Sequence, residues 1–170
     1  RLRCDWSSDV CSSDLLWHAR LPSRAELGDM KSAMVSARTL PESILRMIRF
    51  LPPDNGMAAL RTMTSALSHF DPDSDDSSKE ANLRKAIRLT SQIGSLVATH
   101  ARLASGGTPI ASDPALSHAA NFLYMLTGER PTPEATKALD VALVLHADHE
   151  LNASTFEIEE RRVGKECRSR

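Results

Sequence analysis

Apolar residues recur along the middle of the chain at spacings of three and four, and polar start and stop signals cut them into helix-length runs. Ser23 stands three residues before Glu26. This is a capping-box spacing, in which the hydroxyl accepts from the third backbone N–H and the carboxylate reaches back, so a helix is predicted from about Arg24 to Arg38. Pro41 suits a first helical position, and Ile44, Leu45, Ile48 and Leu51 carry the next helix until Pro52-Pro53 ends it. A third helix is predicted from about Gly56 to Phe70, with Met57, Leu60, Met63, Thr64 and Leu67 on one face. The polar stretch from Asp71 to Ser78 reads as a loop.

A long helix follows from about Lys79 to Ala104, with Leu83, Ile87, Ile93, Leu96 and Val97 as inward positions and Gly106-Gly107 as its stop. Asp113-Pro114 reads as an N-cap with proline in the first helical position, starting a helix that carries Leu116, Ala119, Ala120, Leu123 and Met125 and ends at Gly128. Thr132-Pro133-Glu134 repeats the signal. In the run from Ala138 to Ala147 only Asp140 and His146 are polar, the pattern of a buried helix. No stretch alternates with hairpin-type turns, and no internal repeat is visible. The fold class is all-α and multi-helical, with about six helices.

Composition narrows the function. The chain has 170 residues, enough for one domain with a sizeable core, and its 41% hydrophobic and 25% charged residues are ordinary for a globular protein. A net charge of −1 gives no electrostatic footprint for nucleic acid or an anionic membrane. No apolar run is long enough for a membrane span, and the N-terminus lacks the apolar core of a signal peptide. Cys4, Cys11 and Cys167 all lie near the ends, in an odd count and without zinc-site spacing. The cysteine-free interior suits a reducing cytoplasm, the expected location.

The ends read differently from the interior. Residues 1–15, RLRCDWSSDVCSSDL, have no period, and residues 157–170, EIEERRVGKECRSR, are highly charged, with Ile158 and Val163 the only aliphatic residues. On the residues alone these are two solvated termini. DWSSDVCSSDL is also similar to the conceptual translation of a sequencing-library adapter, and EERRVGKECRSR resembles that of the adapter at the other end. The resemblance implies that residues 1–15 and 157–170 are adapter-derived and that the native sequence is 16–156. The two ends carry seven basic and seven acidic residues, so the interior keeps the net charge of −1.

One stretch concentrates titratable groups. In Leu145-His146-Ala147-Asp148-His149-Glu150-Leu151-Asn152-Ala153-Ser154-Thr155-Phe156, four of them fall within five residues, directly after the apolar run. Charge buried without a partner is costly, so such a cluster usually faces a cavity or a polar network. Three readings stay open on the residues alone. His146 and His149 are three apart and can share a helix face, which suits a metal if a further ligand exists. They can equally form a polar helix end, each imidazole bonded to backbone. Or they build an anion-binding or acid–base site, with Asp148 or Glu150 fixing a tautomer or raising a pKa.

LHADHELNASTF resembles the corresponding stretch of the citrate synthase family. The likeness runs upstream in order through LLWHARLPSRAEL, RTLPESILRMI, LPPDNGMAALRTMTSAL and LSHAANFLYMLTGERPT, so it covers residues 16–156. It implies a fragment of the large domain of an all-α enzyme that assembles as a homodimer or hexamer. Such an enzyme condenses acetyl-CoA with oxaloacetate and water to give citrate and CoA in the tricarboxylic acid cycle. It works without a cofactor or metal, acetyl-CoA being a substrate. By resemblance His149 hydrogen-bonds oxaloacetate, Asn152 and Ser154 line the same pocket, and His146, one turn away, supports it from behind. The family's enol-stabilising histidine lies in a Gly-Pro-x-His-Gly-Gly motif beyond the Asp-His-Glu triplet, and its catalytic aspartate lies farther on. No catalytic residue is therefore expected in this chain, and the fragment alone is expected to be inactive.

Two alternatives remain. A 2-methylcitrate synthase would take propionyl-CoA in place of acetyl-CoA, and a non-catalytic helical interaction module would keep the fold without the activity. His18, His69, His100 and His118 read as surface or helix-packing residues, and Met57 and Met63 as core filler. The acidic loop from Asp71 to Asp76 lacks EF-hand spacing.

Overall fold

Helix α1, Arg24–Ala37, begins as its capping box requires: Glu26 N donates to Ser23 Oγ at 3.3 Å and Ser23 N to Glu26 Oε2 at 2.8 Å. The computed structural model describes residues 16–18 and 20–147. Among these, α1 is followed by α2 (Glu42–Met47, continued by a 3-10 turn, Ile48–Phe50), α3 (Gly56–Leu67, with a 3-10 turn, Ser68–Phe70), α4 (Lys79–Ala104), α5 (His118–Thr127) and α6 (Pro133–Ala147). No strand occurs among the described residues, so the all-α expectation holds. None of their helices is long and apolar enough to cross a membrane.

Two start signals differ from their sequence reading. Pro41 lies just outside α2, because its ψ of 141° is extended while its carbonyl accepts from Leu45 N at 3.1 Å. Asp113-Pro114 does not start a helix. Asp113 Oδ1 takes Ala115 N at 2.9 Å and its carbonyl takes Leu116 N at 3.2 Å, which closes a turn. The helix starts at His118, with Ser117 Oγ capping Ala120 N at 3.2 Å. It ends at Gly128, where a φ of 89° requires glycine.

Helix α4 is the centre of the molecule and packs against α1, α3 and α5. Its buried positions are mostly small: Ala81, Ser91, Ser95, Ala98 and Thr99, with Leu96 the one large exception. Leu83, Ile87, Ile93 and Val97, expected to point inward, are only half-buried. Small side chains let neighbouring helices approach. A methyl built on Gly94 would sit 3.8 Å from both His118 Cε1 and Phe122 Cδ2 of α5. The main apolar core lies on the other side of α4, where Leu40, Ile44, Ile48, Met63 and Leu67 meet Leu96. Met63 is buried as expected, but Met57, on the same predicted face, is 75% exposed.

Polar contacts fix the connections. Arg88 Nη2 bridges Asp71 Oδ1 at 2.6 Å and Asp73 Oδ2 at 2.5 Å, and Arg84 holds Asp73 as well, so the acidic loop is strapped to α4. These guanidiniums keep the Asp73 carboxyl well below the usual carboxylate range. At the end of α1, Arg38 is only 3% exposed; its Nη1 donates to Leu116 O at 2.9 Å, and its carbonyl accepts from Ser95 Oγ at 2.9 Å. Asn121 Oδ1 accepts from Asp113 N at 2.9 Å, so α1, α4, α5 and the 113–117 turn share one polar knot.

Candidate functional site

Helix α6 leads into the titratable stretch, and its own start is well made. Thr132 Oγ1 accepts from Ala135 N at 3.2 Å. The Glu134 carboxyl is held below its ordinary value by its own backbone N–H and by the Thr132 hydroxyl. The helix is not buried as its apolar run predicts. None of its residues is buried; it packs chiefly on α5, and Leu145 is 73% exposed.

The described residues end at Ala147. His149, Asn152 and Ser154, with Asp148 and Glu150, lie outside them. His146 is described. It sits exposed in the last turn, with Nδ1 2.7 Å from Ala142 O. A carbonyl oxygen only accepts, so Nδ1–H is the donor of this bond. This backbone bond holds the ring of His146, two residues before the Asp-His-Glu triplet in the sequence. Among the described residues, no group of three or more His, Cys, Asp or Glu is placed to hold a metal.

The N-terminal half of α6 forms one wall of a cleft of about 710 Å³. The other walls are α1 and the Ala115–Ala120 segment. Its titratable lining is Lys31, Arg38, His118, Arg130, Lys137 and Asp140, beside apolar residues that include Met34, Leu116 and Pro133. His118 is largely buried there, and its pKa is pushed down to about 4, first by burial and then by the Arg38 guanidinium, with Asp140 opposing. The imidazole is therefore neutral at pH 7. Arg130 Nη2 reaches Asp113 Oδ2 at 2.7 Å, and Lys137 Nζ lies 4.0 Å from Asp140 Oδ2.

Sequence reasoning missed this cleft. Arg38 reads only as the end of a helix, and His118 as a scattered surface or helix-packing residue. The one signal available was that His118 directly follows a capping serine and precedes Ala119-Ala120, a face where α5 must pack closely.

Comparison with known proteins bears on the whole chain. A family model described as "Citrate synthase, C-terminal domain" matches residues 8–159, a span that contains the interior 16–156 entire. The chain belongs to the citrate synthase family. It is 44% identical over 147 residues to citrate synthase of Haloferax volcanii, covering 84% of this chain and 39% of that protein. It is 38% identical over 143 residues to a citrate/2-methylcitrate synthase of Bacillus subtilis, covering 84% of this chain and 38% of that one. The solved citrate synthase of Pyrobaculum aerophilum superposes with a TM-score of 0.81 at 34% identity, over 88% of this chain and 40% of that structure. The chain thus spans about two fifths of the length of the citrate synthases it matches, and its six described helices reproduce part of their all-helical fold.

Proposed function

We propose that residues 16–156 are part of a citrate synthase, which joins the methyl carbon of acetyl-CoA to the carbonyl carbon of oxaloacetate and then hydrolyses the citryl thioester. The observation that carries this reading is the family match across 8–159, with a relative named citrate synthase at 44% identity. A thioester α-proton is weakly acidic, so a base and a hydrogen-bond donor must act together on one pre-oriented substrate. In this reading the chain supplies binding and not the base. His149 donates to oxaloacetate, and Asn152 and Ser154 line the pocket. His146, whose ring is held by Ala142 O, supports that pocket from behind. The subunits pair as a homodimer or build a hexamer, and no cofactor or metal is needed.

A second reading has its own support, because one relative bears the name citrate/2-methylcitrate synthase. The two differ by one methyl on the acyl group, worth only about 1–3 kcal/mol in an apolar pocket.

The test expresses the genomic reading frame that surrounds residues 16–156 and follows thiol release with oxaloacetate. A kcat/KM for acetyl-CoA at least about tenfold above that for propionyl-CoA supports citrate synthase. The reverse order moves the assignment to 2-methylcitrate synthase. Thiol release from neither thioester overturns both and leaves a helical interaction module. In an active enzyme, His149→Ala is expected to raise KM for oxaloacetate by roughly tenfold or more, the loss of a hydrogen bond to a charged substrate. The 170-residue chain by itself is expected to release no thiol.

A further inference from the structure

The connection that leads into α6 is short and stiff. In Gly128-Glu129-Arg130-Pro131-Thr132-Pro133 two proline rings fix φ and disfavour helical backbone at the residues before them, Arg130 and Thr132, neither of which is helical. Its near end is pinned to α5, where Thr127 Oγ1 donates to Leu123 O at 2.9 Å and accepts from Glu129 N at 3.2 Å. At its middle, Arg130 Nη2 donates to Asp113 Oδ2 at 2.7 Å. Asp113 is itself fixed: its N donates to Asn121 Oδ1 at 2.9 Å, its Oδ1 accepts from Ala115 N at 2.9 Å, and its carbonyl accepts from Leu116 N at 3.2 Å. Asn121 is 4% exposed, so the post that Arg130 grips belongs to the buried polar knot. The ion pair lies at the surface, with the Arg130 side chain 70% exposed, and adds little to stability. What it can supply is direction. Helix α6 has no buried residue and packs chiefly on α5, so packing alone holds its axis weakly. Its 15 residues make a lever of about 22 Å, and a tilt of about 5° at its start moves its end by roughly 2 Å. His149 follows Ala147 by two residues in the sequence.

We propose that Asp113 is a positioning residue for the oxaloacetate site: by holding Arg130 it sets the direction of α6, and with it the point at which the chain enters the Asp-His-Glu triplet. This role rests on the reading in which His149 donates to oxaloacetate. A misplacement of about 1 Å can cost a reaction about a hundredfold, so an ion pair that matters little for stability can matter much for substrate binding.

The first measurement is of direction, in the 170-residue chain with Cys4, Cys11 and Cys167 replaced by serine. Spin labels go on Ala33→Cys of α1 and Leu145→Cys of α6, both exposed positions. Asp113→Asn keeps an acceptor for Ala115 N and turns an amide donor toward Arg130, so it breaks the pair and leaves the turn. It is expected to shift or broaden the distance between the labels by about 2 Å or more, with helical circular dichroism unchanged. Arg130→Gln should do the same, and Arg130→Lys, which keeps a cation, should retain the parent distance. An unchanged distance in Asp113→Asn overturns the proposal. The second measurement is kinetic, in the enzyme expressed from the surrounding genomic reading frame. Asp113→Asn is expected to raise KM for oxaloacetate at least about threefold and to leave KM for acetyl-CoA within about twofold. Arg20→Gln, which breaks an exposed pair with Glu26, is expected to change neither. A merely structural defect lowers kcat through lost enzyme and leaves both KM values in place; that result, or equal rises in both, overturns the positioning role. A parent enzyme that releases no thiol from either thioester overturns the proposed function and the link to oxaloacetate with it, while the label distances still decide whether Asp113 directs α6.

Discussion

At the level of single residues, His118 has the clearest consequence for stability. Its imidazole is packed beside Gly94 of α4, and the facing charges are Arg38 of α1, which disfavours protonation, and Asp140 of α6, which favours it. Burial and Arg38 win, and the folded pKa falls to about 4 from an ordinary value of 6.5. Between those two values the unfolded chain takes up a proton that the folded one refuses. Stability is therefore complete above about pH 6.5, declines as the pH falls, and stops declining below about pH 4, a loss on the order of 3 kcal/mol. Urea midpoints in dilute solution at pH 7, 5.5 and 4 should fall less steeply in His118→Gln than in the parent. Parallel profiles would show that His118 takes up its proton as readily folded as unfolded. None of this was legible in the sequence, where a histidine after a capping serine says nothing about the arginine eighty residues upstream that folds against it.

At the level of elements, periodicity located helices better than it located their buried faces. The signals around Lys79 and Gly106-Gly107 place α4 at its observed bounds, Lys79–Ala104, and the Ser23 box and Thr132-Pro133 start α1 and α6 where expected. Of the apolar residues of α4 expected inward, Leu96 is buried, but Leu83, Ile87, Ile93 and Val97 are half-buried, and the other buried positions are the small Ala81, Ser91, Ser95, Ala98 and Thr99. A hydrophobic pattern reports which side chains prefer to leave water. It does not report where another helix comes so close that only a small side chain fits. The difference can be measured. Ala98 is fully buried, so Ala98→Leu must displace a neighbouring helix and should cost roughly 1–3 kcal/mol. Ser95→Ala, which loses the bond to Arg38 O and the weak contact with Met125 Sδ, should cost about 1 kcal/mol. Denaturant midpoints for both variants decide it, and an Ala98→Leu protein as stable as the parent would mean that the helices are not closely packed there.

At the level of the whole molecule, the all-helical class and the family were legible because the family's segments occur in order from Leu16 to Phe156, each tied to a start signal or an apolar run. What covers the apolar residues was not legible, since a pattern names a face without naming its partner. Phe50 is 87% exposed, Met57 75% and Leu145 73%, and an apolar groove of about 380 Å³ between α3 and α4 opens beside Met57, with Leu60 and Val97 in its lining. Water over that much apolar surface favours association, and no strong net charge opposes it at −1. The chain should therefore bind a hydrophobic dye and sediment as concentration-dependent oligomers at tens of micromolar, on the order at which weak apolar contacts begin to be populated. Replacing the three residues together, Phe50→Ser, Met57→Ser and Leu145→Ser, should reduce both effects without loss of helix, because none of the three is buried. A parent chain that sediments as a monomer, ignores the dye and melts in one sharp transition would mean that these side chains find cover within the chain itself.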